Sequence, residues 1–394
     1  MSEFILHAFE AGRRGKPDEI DSQIANLIGA EIMRRDMNAR FDLRVNGYYS
    51  NVDNGIRVRI AGEISDFILS QPDFKDSVAK IVIQKYEEIY RSKLDPNQVI
   101  FGFAPQSDAL SLNSQKEVAG DSGIAIAVAY KQGPYYLPWE RFLAVDLRDL
   151  IDNIYLYNKY PEFIQNPEDF AELSKLRADG KIEVTAMYEG VQFKGIRSIV
   201  IAVEQATDLS VDTLRNLLGR LVQIYLDYHQ QQWSVDLGNP VLIINGAGHW
   251  PEGGWKTDAG SREAKPYRDA FASYGVCEDS FSGEDPTKPS ATASLLARYI
   301  AVSVVKSGLA DFARVTLCYQ LGQHYPILNI FTQNTATLPQ AELEDLVKQK
   351  ISLKFKDAIN LFNLKTPEYY QSVAECSDYF QNPNFSWNQG VNLV

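Results

Sequence analysis

Patterns typical of strands and helices alternate along the whole chain of 394 residues. Apolar residues recur with helical spacing at 17–37 and 78–89, and IRVRIAGEIS between them alternates like a half-buried strand. No low-complexity segment or Pro/Gly/Ser linker interrupts this order, so we expect an α+β fold whose subdomains share a core. Further strands are predicted at 124–130, 196–203, 241–245, 315–321 and 327–332, and further helices at 210–228, with Ser210 as N-cap, and 290–306.

The charge balance limits the partners of the chain. It has 39 Lys and Arg against 51 Asp and Glu, a formal net charge of −12. Nucleic acids and anionic membranes need a basic face, so neither is an expected partner. The N-terminal residues do not form a signal-peptide pattern, and no window reaches about 18 uninterrupted apolar residues. We therefore expect neither export nor a membrane span.

Cysteine and histidine usage indicates the compartment and the kind of metal. Cys277, Cys318 and Cys376 are odd in number and lack CxxC spacing, which predicts neither a disulfide framework nor a thiolate zinc site. The four histidines show no metal-binding spacing. A reducing cytoplasm fits these counts, and any metal should be a hard cation bound by carboxylates and phosphates.

Two long polar stretches interrupt the regular pattern. Residues 104–123, APQSDALSLNSQKEVAGDSG, are polar and contain glycines, and loops of this length inside compact domains are often functional. We expect a mobile gating loop over a site, with Gln106 and Asp121 as its functional residues. Residues 246–289 are long, irregular and rich in charge. Ordinary surface loops are the alternative for both stretches.

One motif points to a family. Residues 281–288, FSGEDPTK, resemble the FSGKDPSK or FSGKDPTK motif of the S-adenosylmethionine synthetase (methionine adenosyltransferase) family. Other segments are similar to family motifs in the same order: RRGKPDEIDSQI to SEGHPDKIADQI, RIAGEIS to VGGEIT, APQSDAL to GKQSPDI, VAGDSG to GAGDQG, LRADGKIEVT to LRPDAKSQVT, and INGAGHWPEGGWKTDAG to INPTGRFVIGGPMGDCG. The resemblance covers most of residues 8–388.

The resemblance implies a reaction and an architecture. In this family the methionine sulfur attacks the ribose C5′ of ATP, and tripolyphosphate leaves whole before it is cleaved. Such chemistry depends on positioning two substrates and on fixed positive charge around the leaving group. The implied fold has three intertwined pseudo-repeated α/β subdomains, with sheets packed at a dimer interface. We place the subdomains at 1–130, 131–245 and 246–394, and we expect a homodimer or a dimer of dimers whose sites are completed by both chains.

Residue roles follow from matched motif positions. The resemblance implies that an amino-acid substrate is held by opposite charges and that adenine stacks on an aromatic ring. Mg²⁺ would bind at Asp18, and K⁺ is expected to be dispensable. The implied catalytic residues are Lys16, Lys181, Lys265 and Asp258. The implied amino-acid pocket consists of Glu63, Gln106, Asp258 and Lys288. The implied ATP site consists of Asp179, Lys181, His249, Trp250, Lys265, Ser280 and Glu284.

The phosphate-handling positions depart from the family pattern. Glu284 stands where the family has a phosphate-binding lysine, and Ser290 where it has a second magnesium-ligating aspartate. A lysine-to-glutamate change about 4 Å from a phosphate turns attraction into repulsion, roughly 4 kcal/mol each way at an effective dielectric of 20. Further departures are Arg13 and Arg14 for Ser-Glu, Lys16 for His, Glu19 for Lys, His249 and Ala264 for Arg, and Arg44 where a carboxylate would bind potassium.

Three functions remain open on these residues. The first is a divergent S-adenosylmethionine synthetase with a rearranged triphosphate site, in which Arg14 and Glu284 have exchanged sign or Arg13, Arg14, Lys16, Arg262 and Lys265 supply the lost contacts. The second is an enzyme of the same fold that couples a nucleoside to a different amino acid or uses another leaving group. The third is a non-catalytic relative that binds substrate.

Overall fold

The computed structural model describes residues 4–106, 118–157, 166–259, 265–277 and 279–394. The chain forms a mixed α+β fold with three sheets, which confirms the expected fold class. The strands are β1 (Ile5–Gly12), β2 (Phe41–Ser50), β3 (Gly55–Ile64), β4 (Val99–Pro105), β5 (Gly123–Tyr130), β6 (Leu176–Glu189), β7 (Gln192–Gln205), β8 (Val241–Ile244), β9 (Phe312–Tyr319) and β10 (Ile327–Phe331).

Helices pack against these sheets. In the described parts of the chain they are α1 (Pro17–Arg35), α2 (Asp66–Leu69), α3 (Phe74–Tyr90), α4 (Trp139–Tyr157), α5 (Pro167–Leu173), α6 (Val211–Trp233), α7 (Lys265–Asp269), α8 (Pro289–Lys306), α9 (Gln340–Lys350), α10 (Phe355–Leu361) and α11 (Pro367–Cys376). Among the described residues, no helix combines the length and the apolarity needed to cross a membrane.

Strands that are distant in sequence pair within each sheet. The first sheet has the order β1-β6-β7-β8, the second β2-β3-β4 and the third β10-β9-β5. The β1–β6, β6–β7, β2–β3, β5–β9 and β9–β10 pairs are antiparallel, whereas β3–β4 and β7–β8 are parallel. The N-terminal strand therefore shares a sheet with residues from the middle of the chain, and β5 pairs with a strand about 190 residues later.

Most of the predicted elements are confirmed. The two predicted N-terminal helices form α1 and α3, and each predicted strand has a counterpart within a few residues. Ser210 caps α6, because its hydroxyl accepts a hydrogen bond of 3.1 Å from the Thr213 amide. The sequence patterns did not predict β1, β2, β4, β6 or α4.

The segment before α8 attaches to the edge of β2. The Leu43 amide donates to the Gly283 carbonyl at 2.7 Å, and the Asp285 amide donates to the Phe41 carbonyl at 2.9 Å. The Asp285 carboxylate pairs with Arg40 at 2.7 Å. Since almost every residue of α8 is buried, this helix anchors the segment in the core. Residues 283–285 are thereby held beside β2.

Trp255 fastens the long irregular stretch to α1 and β2. Its indole Nε1 donates to Asp21 at 3.0 Å, and the same carboxylate accepts a 3.2 Å bond from the Gly47 amide. A Cβ atom on Gly47 would lie 1.9 Å from the Trp255 ring. Only glycine allows this approach, and the buried indole fixes the chain just before Asp258.

Candidate functional site

Residues from four segments line one cavity of about 500 Å³, here called the lysine cavity. Lys16 comes from the start of α1, Asp179 and Lys181 from β6, Ala202 from β7, and Trp250 and Asp258 from the loop after β8. The Lys16 ammonium lies 2.9 Å from the Asp258 carboxylate. Lys16 also precedes the first turn of α1, where the helix dipole favours an anion.

Asp179 is the buried acidic group of this cavity. Its carboxylate accepts hydrogen bonds from the Gly254 amide at 2.7 Å and the Gly180 amide at 2.6 Å. Burial raises the pKa of Asp179 to about 6, although these amides and Lys16 act in the opposite direction. The side chain is therefore held rigidly, and its charge depends on pH within the physiological range.

Lys181 and Trp250 add a cation and an aromatic surface. The Lys181 ammonium pairs with Glu10 at 2.8 Å while the side chain lines the cavity. The half-buried Trp250 ring is fixed by a 2.7 Å bond from Nε1 to the Glu252 carbonyl. His249 is exposed, 3.3 Å from the Ala206 carbonyl, and is not part of the described lining. The cavity can hold a planar group and an anion together.

Five charged side chains from the first turn of α1 and from α7 form a buried ion network: Asp18, Glu19, Lys265, Arg268 and Asp269. Arg268 pairs with Asp18 and donates to Glu19 at 3.1 Å. Lys265 lies 3.2 Å from Glu19 and also pairs with Asp269. Burial alone lowers the pKa of Lys265, but the carboxylates of Asp269 and Glu19 raise it above its usual range. Both cations are thus already neutralised within the protein.

A second cavity of about 320 Å³, here called the acidic cavity, also borders the first turn of α1. Asp18 lines it, whereas Lys16 lines the lysine cavity, so this turn forms part of the wall between them. The ionisable residues of its lining are the carboxylates Asp18, Asp21, Asp42, Asp279 and Glu284 and the cations Arg44, Arg59 and Lys265. Ser280, predicted in the ATP site, lines the same cavity.

Glu284 has a basic neighbour, but not the one proposed from the sequence. Its carboxylate lies 3.7 Å from the Lys288 ammonium. Burial raises the pKa of Glu284 to about 8, and Lys288 and the Ser290 hydroxyl act to lower it. Arg14 instead pairs with Asp149 at 3.4 Å and donates to the Tyr157 hydroxyl at 2.9 Å. Arg14 and Glu284 therefore have different ionic partners in the described chain, and their exchange of sign stays a prediction.

The predicted amino-acid pocket residues lie at one end of the second sheet. Lys288 pairs with Asp42, and Asp42 lies directly opposite Glu63 in the β2–β3 register. Glu63 is exposed, and the Gln106 amide donates to the Ile64 carbonyl at 3.0 Å just after β4. Glu63, Gln106 and Lys288 lie outside the described linings of both cavities. Only Asp258 of this predicted set lines the lysine cavity.

Several predicted positions lie at or beyond the edges of the described chain. Residues 107–117 of the proposed gate, and Arg262 and Ala264, lie outside the described residues. Asp121, at the far end of the gate, is exposed and accepts a 2.8 Å bond from the Ser122 amide. Arg44, in the predicted potassium position, is largely exposed and lies 4.0 Å from Asp279.

Arg268 is the residue whose role sequence reasoning missed. The structure surrounds it with Asp18, Glu19 and, at 3.5 Å, Glu10. The available signal was a glutamate at 19 where the family has a lysine. A buried carboxylate at that position requires a new cation, but its partner 249 residues away is not visible in the pattern.

The donor atoms for a metal are few. Among the described residues, no group of three or more His, Cys, Asp or Glu side chains is arranged for a metal ion. Asp18 Oδ1 and Glu284 Oε2 are nevertheless buried carboxylate oxygens without a hydrogen-bond partner in the described chain. Such oxygens suit a hard cation that takes its other ligands from water and phosphate.

Known proteins are similar over the full length of the chain. Residues 252–389 match the family described as S-adenosylmethionine synthetase, C-terminal domain. The chain is 28% identical over 396 residues to the S-adenosylmethionine synthase of Aquifex aeolicus, covering 99% of this chain and 98% of the relative. It is 27% identical over 401 residues to that of Helicobacter hepaticus, covering 99% and 96%. The resemblance found in the motifs is confirmed.

The raised pKa of Asp179 predicts a pH-dependent stability. Between the usual aspartate pKa near 4 and the folded value near 6, the native state binds the extra proton, so its contribution to stability is lost as pH rises. The unfolding free energy of the wild type relative to Asp179→Asn should fall by roughly 3 kcal/mol between about pH 4 and pH 7. Denaturant unfolding across this range measures it, and a difference independent of pH would contradict the assignment.

Proposed function

We propose that the chain is a member of the S-adenosylmethionine synthetase family and that it forms S-adenosylmethionine from ATP and methionine through a site with altered phosphate contacts. One observation carries the proposal. Lys16, Asp179, Lys181, Trp250 and Asp258 come from distant parts of the chain and line a single cavity. Loss of function would have left little reason for this set to stay together.

We assign the adenosine of ATP to the lysine cavity. The Trp250 ring provides an apolar face for adenine, and Asp179 provides a fixed acceptor for a donor group of the nucleoside. Lys16 and Lys181 then lie where negative charge develops as the triphosphate leaves the ribose C5′. Because both cations are already in place, they stabilise this charge without a cost of reorganisation. Asp258 holds the Lys16 ammonium in place. The reaction needs orientation of the two substrates and no covalent enzyme intermediate.

The amino-acid end supports a site made by two chains. Glu63, Gln106 and Lys288 lie around the end of the β2-β3-β4 sheet, outside the described lining of the lysine cavity. We propose that the lysine cavity of one chain is completed by these residues from a second chain, in a homodimer or a dimer of dimers. The opposite charges of Glu63 and Lys288 would then hold the ammonium and carboxylate of methionine. The subdomain boundaries at 130 and 245 belong to the same proposal.

The cations available to the phosphates are limited. The fully buried Arg13 pairs with Asp152 at 2.8 Å, Arg14 pairs with Asp149, and Lys265 is held by Glu19 and Asp269. Mg²⁺ fits at the free oxygen of Asp18 and would supply positive charge to the leaving group when bound. Arg44, in the acidic cavity, provides fixed positive charge where a potassium ion is otherwise expected, so activity without K⁺ is part of the proposal.

A product assay tests the proposed function. The purified protein is incubated with Mg²⁺, ATP and methionine, and in parallel with ATP and a panel of other amino acids, and the products are identified by mass spectrometry. S-adenosylmethionine should form from methionine, and tripolyphosphate should accumulate because its cleavage needs stronger charge neutralisation than its departure. Absence of any adenosylated amino acid would contradict enzymatic function, and an adduct of a different amino acid would contradict the substrate assignment.

Rates on Glu284→Lys separate a weakened phosphate site from a rearranged one. In a weakened site the new lysine should speed tripolyphosphate cleavage without slowing S-adenosylmethionine formation, since it adds attraction of roughly 4 kcal/mol at about 4 Å. Asp279→Lys is the matched control, because Asp279 lines the same cavity but its side chain is 47% exposed, whereas Glu284 is buried. Fast cleavage in the wild type that falls in Glu284→Lys would contradict a weakened site.

The stacking role of Trp250 is tested by two substitutions. Trp250→Ala should raise the KM for ATP by about 5- to 150-fold, because stacking of a base on an aromatic ring contributes about 1–3 kcal/mol. Trp250→Phe keeps an aromatic face and should remain close to the wild type. Equal kinetics in Trp250→Ala and the wild type would remove this residue from the nucleotide site.

A further inference from the structure

Two buried carboxylates in the acidic cavity each have an oxygen without a partner. Asp18 and Glu284 are each only 8% exposed, and both line this cavity. Asp18 Oδ1 and Glu284 Oε2 have no hydrogen-bond partner among the described residues. An ionised carboxylate removed from water is costly unless its oxygens are satisfied. The two free oxygens are therefore positions that a cation or another donating group can occupy.

The second oxygen of each carboxylate is already held by a cation of the protein. Arg268 pairs with Asp18 Oδ2, and Lys288 lies 3.7 Å from Glu284 Oε1. These cations are fixed in turn, because Arg268 also bonds Glu19 and Lys288 also pairs with Asp42. These ion pairs thus orient the two carboxylates, and one oxygen of each remains available for a ligand.

The surrounding charges favour a cation as this ligand. Five carboxylates line the acidic cavity against three basic side chains, and of those three Lys265 is neutralised by Glu19 and Asp269. The described lining contains neither histidine nor cysteine, which disfavours softer transition metals. A small divalent ion bound by one or two carboxylates, with water and phosphate completing its shell, is the usual magnesium arrangement.

We infer that Glu284 and Asp18 together bind a divalent cation of the Mg²⁺ class in the acidic cavity. Glu284 stands where the family motif has a lysine, and without a bound metal its carboxylate would only repel phosphate. As a metal ligand, Glu284 would instead help to hold positive charge beside the phosphate. The inference deepens the proposed function and rests on it in one respect, since nucleotide or tripolyphosphate oxygens supply the remaining ligands.

Binding of Mn²⁺, as a paramagnetic probe for this site, tests the inference without turnover. The free Mn²⁺ signal is measured by electron paramagnetic resonance in titrations of the full chain with Mn²⁺ and tripolyphosphate. Glu284→Gln and Asp18→Asn should each weaken Mn²⁺ binding by about tenfold or more. Asp279→Asn is the matched control: it removes a carboxylate from the same cavity, but the Asp279 side chain is 47% exposed, whereas Glu284 is buried. Its loss of affinity should be much smaller.

Three results would overturn the inference: no Mn²⁺ bound by the wild type, unchanged affinity in Glu284→Gln, or equal losses in Glu284→Gln and Asp279→Asn. Circular dichroism and thermal unfolding check that each variant is folded. If Glu284→Gln is unstable, Glu284→Asp keeps the charge while moving the oxygens, and unchanged Mn²⁺ affinity there would also contradict direct ligation. The titration needs no methionine, so a protein that binds Mn²⁺ through Glu284 yet makes no S-adenosylmethionine would refute the proposed function alone.

Discussion

The ion pairs that Arg268 makes with Asp18 and Glu19 are the interaction on which the site depends. They join α7 to the first turn of α1, two elements separated by about 250 residues of sequence. All three side chains are buried, and removing one partner from such a group leaves an uncompensated charge. By fixing this turn, the ion pairs also fix the directions in which Lys16 and Asp18 face their two cavities.

The network shows how a charge change beside the two cavities is accommodated. Glu19 replaces a family lysine, and its carboxylate is neutralised by Arg268 and Lys265. Burial raises the pKa of Glu19, while Lys265 opposes this shift. The positive charges of Lys265 and Arg268 are therefore held in the interior by ion pairs with Glu19. These two cations are not free to contact a phosphate group, so the charge of the cavities differs from what the motifs alone imply.

The same reasoning applies to Glu284. Its immediate neighbour Lys288 was predicted to contact the amino acid, yet in the single chain it lies between Asp42 and Glu284. A substrate carboxylate would compete with two protein carboxylates for this ammonium. A cation bound beside Glu284 would reduce that competition, which links the amino-acid end of the proposed site to the metal end.

The sequence predicted elements whose patterns are local. The isoleucine spacing of α1 and the apolar alternation of β5 and β9 follow from which face each element buries, and both can be recognised over a few residues. β6 was missed because LRADGK contains polar and glycine residues whose extended form is imposed by pairing with β1 and β7. α4 has helical spacing that would have supported a prediction.

The site was predictable only where motifs specify it. Five of the implied residues do meet in the lysine cavity, because each belongs to a motif that could be matched position by position. The ionic partners of the replaced residues could not be predicted, since Arg268 and Glu19 are distant in sequence and become neighbours only through the packing of α7 on α1. The pairing of Lys288 with Asp42 is missing from the motifs for the same reason.

A double-mutant cycle on Glu19 and Arg268 tests the central claim that these two charges stabilise the fold as a pair. The unfolding free energies of wild type, Glu19→Gln, Arg268→Met and the double variant are measured in denaturant, with Asp345 and Lys348 as an exposed control pair. The buried pair should show a coupling of at least about 1.5 kcal/mol, against about 0.2–1 kcal/mol for the control. Effects that add to within about 0.5 kcal/mol would contradict the account.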